Sequence, residues 1–284
     1  MLRPGFAFVL AALPLGIASA AAPIGYAQAT GYFKKDSRPT LYQPLNLLDG
    51  REATAWCTTG PDPLNDVLTF GFKGPVRIDE IRIYTGNGFD ESTFKEFSRA
   101  KKLALKGPSG AQTVGLADQR GQQAIALSPP LEGEQFTVEV LDLFPADDPE
   151  LPVCITDVVF YADGKPLNGP WLTQELKYDR ARANLLGTWF AGSEGAPDRY
   201  LSFYFDGTYR FVHQPWDPMV KGMSWNGDYD SSGSRLTLKL PGKRKVTARL
   251  QRANAASDSG HELNTLMLDG DVPEDLKKTF RDRM

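Results

Sequence analysis

Residues able to do chemistry are sparse in this 284-residue chain. Its two histidines, His213 and His261, stand far apart, as do its two cysteines, Cys57 and Cys154. A zinc set needs soft ligands in close pairs, and no such spacing occurs. No glycine-rich loop follows a strand-like run to cradle phosphate, and no Gly-x-Ser-x-Gly turn presents a nucleophile. Acidic residues are plentiful, with adjacent pairs at Asp90-Glu91 and Asp147-Asp148. Hydrolysis by two carboxylates requires them face to face in a cleft, whereas these pairs fall where loops are expected and read as solvated charges. His213 ends an alternating run and reads as a strand-end residue. The pattern points to a protein that is not an enzyme and that binds.

The first residues suggest where it works. Arg3 gives a positive start, Phe6 to Ile17 is apolar, and Ala18-Ser19-Ala20 is a small-x-small cleavage pattern. That combination predicts a secretory signal peptide over residues 1–20, a mature start near Ala21, and a secreted or periplasmic protein. The apolar run is shorter than the roughly 20 residues of a membrane span, and no later run approaches that length, so no membrane span is expected. In an oxidising compartment Cys57 and Cys154 read as one structural disulfide, with two buried thiols as the alternative. Such a bond would close a loop of about a hundred residues and stabilise the fold by roughly 4–5 kcal/mol. The formal net charge of -3 argues against nucleic acid or an anionic membrane as main partner.

The elements that must position any site are strands. Leu68, Phe70 and Phe72, then Ile81 and Ile83, then Phe136, Val138 and Val140 alternate with a period near two. Gly74-Pro75, Gly107-Pro108, Ser109-Gly110 and Pro129-Pro130 punctuate them. Without long helical stretches between strands, a sandwich over residues 21–163 is favoured over a parallel α/β sheet. Residues 164–183 carry breaks and charge and read as a linker. A second β unit fills 184–284. Tyr200 to Phe205 and Thr208 to Val212 flank Asp206-Gly207 as a hairpin, Leu236 to Leu240 and Lys245 to Leu250 flank Pro241-Gly242, and a last strand at Asn264 to Leu268 precedes a tail expected to be helical.

Several of these stretches carry a family resemblance. Tyr42-Gln-Pro-Leu-Asn-Leu-Leu-Asp49-Gly50-Arg-Glu-Ala-Thr54-Ala-Trp56-Cys57 resembles the opening of galactose-binding-like, discoidin-type domains. Val76 to Ile83, Ser98-Arg99 to Leu103 and Cys154-Ile-Thr-Asp157-Val-Val-Phe160 are similar to later strands of that family, in order. The cysteine after Thr-Ala-Trp and the one before the closing strand resemble the translocation-type, glycan-binding domain that accompanies streptococcal NAD glycohydrolase. The resemblance covers residues 27–163 and implies a jelly-roll sandwich. It implies no NADase activity, because it is to the non-catalytic module. Leu186-Gly187-Thr188-Trp189, Phe203 to Phe211 and Gly222 to Trp225 with Leu236 to Leu238 resemble small lipocalin-like barrels, in which the Gly-x-Trp tryptophan plugs the floor. About a hundred residues suits a filled, small antiparallel barrel or meander rather than an open cup.

The resemblance also implies sites. Domains of this type hold a structural calcium where the Asp-Gly loop meets the last strand, and Asp49, Thr54 and Asp157 match those positions. Arg51 and Glu52 depart from the usual Asp or Asn, and Arg51 is a candidate stand-in for part of the cation's charge. A glycan site wants ring faces for sugar C–H groups and planar donors and acceptors for hydroxyls. Asn87, Phe89, Phe94 and Arg99 are the candidates, with the 144–152 loop, and Trp56 reads as core. The expectation is a non-catalytic exported protein whose partner is a saccharide; the alternative is an envelope protein partner without sugar binding.

Overall fold

The computed structural model describes residues 23–62, 66–168, 185–193, 196–232, 234–256 and 262–282. The expected signal peptide, most of the 164–183 linker and His261 lie outside the described residues.

The first domain is a sheet folded over itself into a sandwich. Its strands are β1 (Ile24–Ala29), β2 (Trp56–Cys57), β3 (Val67–Thr85), β4 (Ser98–Gly107), β5 (Gly110–Gly115), β6 (Gln123–Phe144), β7 (Val153–Ala162) and β8 (Lys165–Pro166), with one short helix, α1 (Glu91–Glu96), between β3 and β4. The main path runs β1-β3-β6-β4-β7-β2, and β3 also pairs with β7. This closure follows from length: β3 and β6 are long enough to serve both layers, and β3 shifts register against β6 between Gly71 and Val76 as it turns from one layer to the other. The alternating residues read from the sequence point inward. Leu68, Phe70, Phe72, Ile81, Ile83, Phe136, Val138 and Val140 are all buried, and Phe72 meets Phe136 and Phe160 edge to face at 5.7 and 5.5 Å. The Pro44–Leu48 3-10 turn is wholly buried and carries the chain toward β2; Asn46 holds it by donating to the carbonyls of Leu41 and Ala55, both at 2.8 Å.

The second domain is a barrel. The strands β9 (Gly187–Ser193), β10 (Ala196–Phe203), β11 (Thr208–His213), β12 (Met223–Ser232), β13 (Arg235–Lys239), β14 (Lys245–Ala256), β15 (Glu262–Gly270) and β16 (Thr279–Arg281) pair antiparallel in sequence order. Closure comes where β16 meets β9 at Arg281 and Phe190. The tail expected to be helical holds one 3-10 turn, Glu274–Leu276, and then β16. Phe280 decides this, because the alternation Thr279-Phe280-Arg281 sends its ring into the barrel core. The interior is filled by Trp189, Leu201, Phe203, Tyr209, Phe211, Tyr229, Leu236, Leu238, Leu266 and Phe280. Trp189 lies at one end, donating from Nε1 to the Leu185 carbonyl at 2.9 Å. The Asp-Gly hairpin forms, with a four-residue loop in which only Gly207 takes a positive φ of 77°; Asp206 turns the chain by accepting from the Thr208 N–H and hydroxyl at 3.1 and 2.7 Å.

The domains are packed together. Leu186, Tyr204 and Phe205 of the second unit belong to the sandwich's own hydrophobic cluster. Phe205 donates its N–H to the Gly25 carbonyl at 3.0 Å, Tyr204 stacks on Tyr26 at 6.4 Å, and Lys73 pairs with Asp206. Gly25 is required by space: a Cβ there would lie 2.4 Å from the Tyr204 ring.

Candidate functional site

One end of the sandwich carries the sequence-predicted residues, and β7 organises it. Cys154 on β7 is disulfide-bonded to Cys57, its register partner on β2, and its carbonyl accepts the Gly86 N–H at 2.8 Å. Two residues on, the Thr156 hydroxyl donates to the Gly86 carbonyl and accepts from the Gly88 N–H, each at 2.8 Å. Gly86 sits at φ +86°, and a Cβ there would lie 2.6 Å from the Phe94 and Arg99 side chains; glycine meets both demands. The turn pinned in this way lifts Phe89 into solvent, where the side chain is 63% exposed.

The other three glycan candidates are buried. Asn87 is buried, and its Oδ1 accepts the Phe89 N–H at 3.3 Å, which shapes the turn. Phe94, on α1, is buried under the Arg99 guanidinium, 5.4 Å from ring centre to Cζ. Arg99 and Asn87 were expected to offer hydrogen bonds to a ligand. Arg99 is instead buried and committed, giving Nε and Nη2 to the Asp118 carboxylate at 2.9 and 2.8 Å and Nη1 to the carbonyls of Phe97 and Pro145 at 3.1 and 2.9 Å. A guanidinium with that many internal acceptors ties α1, β4 and the 144–152 loop together. Trp56 is fully buried, as a core ring.

Arg120 is the residue that the sequence did not single out. It donates from Nε to the Tyr84 hydroxyl at 3.2 Å and from Nη2 to the Gly88 carbonyl at 2.9 Å, with Glu91 at 3.9 Å from Nη1. A planar, half-exposed donor therefore lies one peptide unit from the exposed ring. Its signal in sequence is only an arginine before Gly121 in a turn. The acidic pairs serve turns: Asp90 caps α1 by accepting the Thr93 N–H at 2.6 Å, and Asp148 accepts the Glu150 N–H at 3.0 Å.

The calcium candidates also converge. Asp49 is buried; its carboxylate accepts the Thr54 hydroxyl at 2.8 and 3.0 Å and the Arg51 N–H at 3.0 Å. Arg51 is exposed and reaches Asp49 through its backbone. Asp157, beside Thr156 on β7, accepts from the Gln122 amide. Burial above all, with the Asp49 charge adding to it and the Gln122 bond opposing it, pushes its carboxyl up to about 7. Two coupled, buried carboxylates with a hydroxyl form an oxygen donor set of the kind a hard cation takes. Among the described residues no group of three or more His, Cys, Asp or Glu is arranged to hold a metal ion, so a cation there would also need hydroxyl and carbonyl oxygens. The 49–54 loop abuts the Phe89 loop, since a Cβ on Gly88 would lie 2.9 Å from the Glu52 carbonyl oxygen.

In the barrel, His213 ends β11, buried between Asp198 and Asp275 at 3.5 Å each, with Arg199 bridging the same two carboxylates. Among the described residues, no helix is long and apolar enough to cross a membrane.

The model of the NAD glycohydrolase translocation F5/8 type C domain family matches residues 23–161. Similar solved structures include the family 32 carbohydrate-binding module of Clostridium perfringens NanJ in complex with galactose, 15% identical, with 50% of this chain and 100% of that one covered at a TM-score of 0.36. The family 32 module of Streptococcus pneumoniae EndoD is 14% identical over 50% of this chain and 100% of its own, at 0.39. The arabinofuranosyltransferase AftD from Mycobacteria is 13% identical over 48% of this chain at 0.39, and the match spans only 11% of its length. A search of the curated proteins returned no match. Residues 23–161 are thus similar to the discoidin-like domain of the NAD glycohydrolase translocation F5/8 type C family, and the filled barrel follows them in the same chain.

Proposed function

We propose that this is an exported, non-catalytic glycan-binding protein that takes a saccharide at the Phe89 end of its first domain. The observation that carries the reading is the Phe89 ring, 63% exposed on a turn held by Thr156 and Arg120. A solvent-facing ring on a fixed turn is a platform for a sugar's C–H face, and the neighbouring guanidinium supplies donors to hydroxyls. Calcium fits the oxygen set of Asp49, Thr54 and Asp157. It would balance the two carboxylates and fix the loop that backs the platform.

The test is a glycan array with residues 21–284, followed by titration of the binders. A shallow site gives dissociation constants on the order of micromolar to millimolar. Phe89→Ala weakens binding and leaves stability unchanged, whereas Trp56→Ala destabilises by about 3–5 kcal/mol, the range for deleting a buried Trp. No binding at millimolar glycan, or a Phe89→Ala effect on stability alone, overturns the reading.

A second reading, an envelope protein partner, has its own observation. The loop between β11 and β12 exposes Trp216 at 73%, Met219 at 90% and Val220 at 47%, and adjacent exposed apolar side chains mark interaction surfaces. Substituting Trp216 and Met219 by Ser leaves glycan binding intact under the first reading and abolishes in-cell photocrosslinks from position 220 under the second.

A further inference from the structure

The barrel wall that faces the sandwich breaks its own alternation. Strands β9 and β10 send Trp189, Leu201 and Phe203 inward, so Thr188, Phe190, Tyr200 and Ser202 point out. An outer wall of a filled barrel calls for polar side chains, yet Phe190 and Tyr200 stand here half-buried and edge to face, 5.8 Å apart at 79°. They line a cleft of about 410 Å³ between the two domains, within the range of small-molecule sites, which prefer domain interfaces. Glu134 and Gln135 of β6 form the facing wall, and Gln214 lies at the mouth.

The charges and the rigidity of this cleft narrow the ligand. Among its lining residues the ionised side chains are Glu134 and Arg210, and they pair across it at 2.9 Å. The lining is therefore neutral overall and offers no excess charge to a phosphate or carboxylate. What it offers is ring faces together with two carboxamides, the hydroxyls of Thr188 and Ser202, and the outer lone pairs and N–H groups of the ion pair. Its walls are fixed in advance by the Tyr26 to Thr188 bond at 3.0 Å and the Thr188 to Ser202 bond at 2.8 Å. A ligand then meets little ordering cost.

We propose that this interdomain cleft is a second binding site, for a neutral saccharide that packs on Tyr200 and Phe190 and hydrogen-bonds to Glu134, Gln135 and Gln214. It shares no residue with the Phe89 end and does not depend on it.

Saturation-transfer NMR on residues 21–284, with a panel of neutral gluco-, galacto-, manno- and N-acetylhexosamine mono- to tetrasaccharides, tests the site. Val212→Trp, which fills the cleft, and Tyr200→Ala each weaken at least one saccharide by roughly tenfold or more, one decade being a single stacking contact's worth. Gln214→Ala, at the exposed mouth and outside the packing, gives a smaller loss of about threefold, as for one hydrogen bond. Phe89→Ala leaves that saccharide's binding unchanged. The proposal is overturned if no panel member binds the wild type, if the binders respond only to Phe89→Ala, or if the cleft takes a peptide and no sugar.

Discussion

Asp157→Asn, followed across pH, tests the buried acid pair most directly. The Asp157 carboxyl titrates near 3.8 in an unfolded chain, and in the folded protein burial, with the Asp49 charge adding to it, raises it to about 7. The unfolded state therefore gives up this proton first as pH rises, so the folded state loses stability between about pH 4 and pH 7 and levels off above. A shift of about 3 units at 1.36 kcal/mol each sets the loss at about 4 kcal/mol, as an order of magnitude. Asn keeps an acceptor for Gln122 and carries no charge, so the variant lacks that slope. Urea unfolding in chelator at several values from about pH 4 to pH 8 reads the difference between the two proteins, which cancels the titrating groups that do not interact with Asp157. Wild type falls relative to the variant by several kcal/mol on going up through this window. Calcium at a hundred times its dissociation constant then restores about 2.7 kcal/mol to wild type at the upper end and nothing to the variant. Parallel curves for the two proteins refute the raised carboxyl, and equal calcium responses refute the cation site.

Two further outcomes follow from the packing. Arg99→Ala leaves Asp118 and the carbonyls of Phe97 and Pro145 without their donor, so it lowers stability by about 2–3 kcal/mol, the range for hydrogen bonds to a charged group; a variant as stable as wild type in urea would return Arg99 to the list of ligand contacts. Residues 21–165 expressed alone fold under oxidising conditions but melt below the full chain, by about 2–4 °C for each kcal/mol lost with Tyr204 and Phe205. An unchanged melting temperature shows the interface to be energetically idle.

Strand positions were legible because burial in a sandwich imposes a period of two, and Leu68, Phe70 and Phe72 leave no other face to bury. The Asp-Gly hairpin was legible for the same local reason, although its loop is longer and only Gly207 needs the left-handed region. The tail was misread because a run of Glu274, Asp275, Lys277 and Lys278 looks like a solvated helix. One residue, Phe280, outweighs that run by completing the barrel core, and whether a barrel lacks its last strand is a property of the whole sheet. The domain interface left no local signal either. Gly25, Tyr204 and Lys73 are ordinary in their own strands and gain their meaning only from a partner far away in sequence.

The functional end shows the same division with a sharper consequence. Residue types made candidates of Phe89, Asp49, Thr54 and Asp157, because each has a chemistry visible in isolation. They misjudged Arg99 and overlooked Arg120, since a guanidinium's role is set by which acceptors reach it first. Asp118, Phe97 and Pro145 claim Arg99 from three segments, while Arg120 spends two donors on Tyr84 and Gly88 and stays half-exposed. The adjacency of Thr156 and Asp157 on β7 then links the two halves of the site. Thr156 is the extra residue where β7 shifts register against β3, between Ile155 opposite Thr85 and Asp157 opposite Tyr84: Thr156 bonds to the backbone of Gly86 and Gly88, and Asp157 accepts from Gln122 and feels the Asp49 charge. A charge or cation acting on Asp157 thus acts on the strand segment that pins the Phe89 turn, two residues from a disulfide that limits how far that segment can yield.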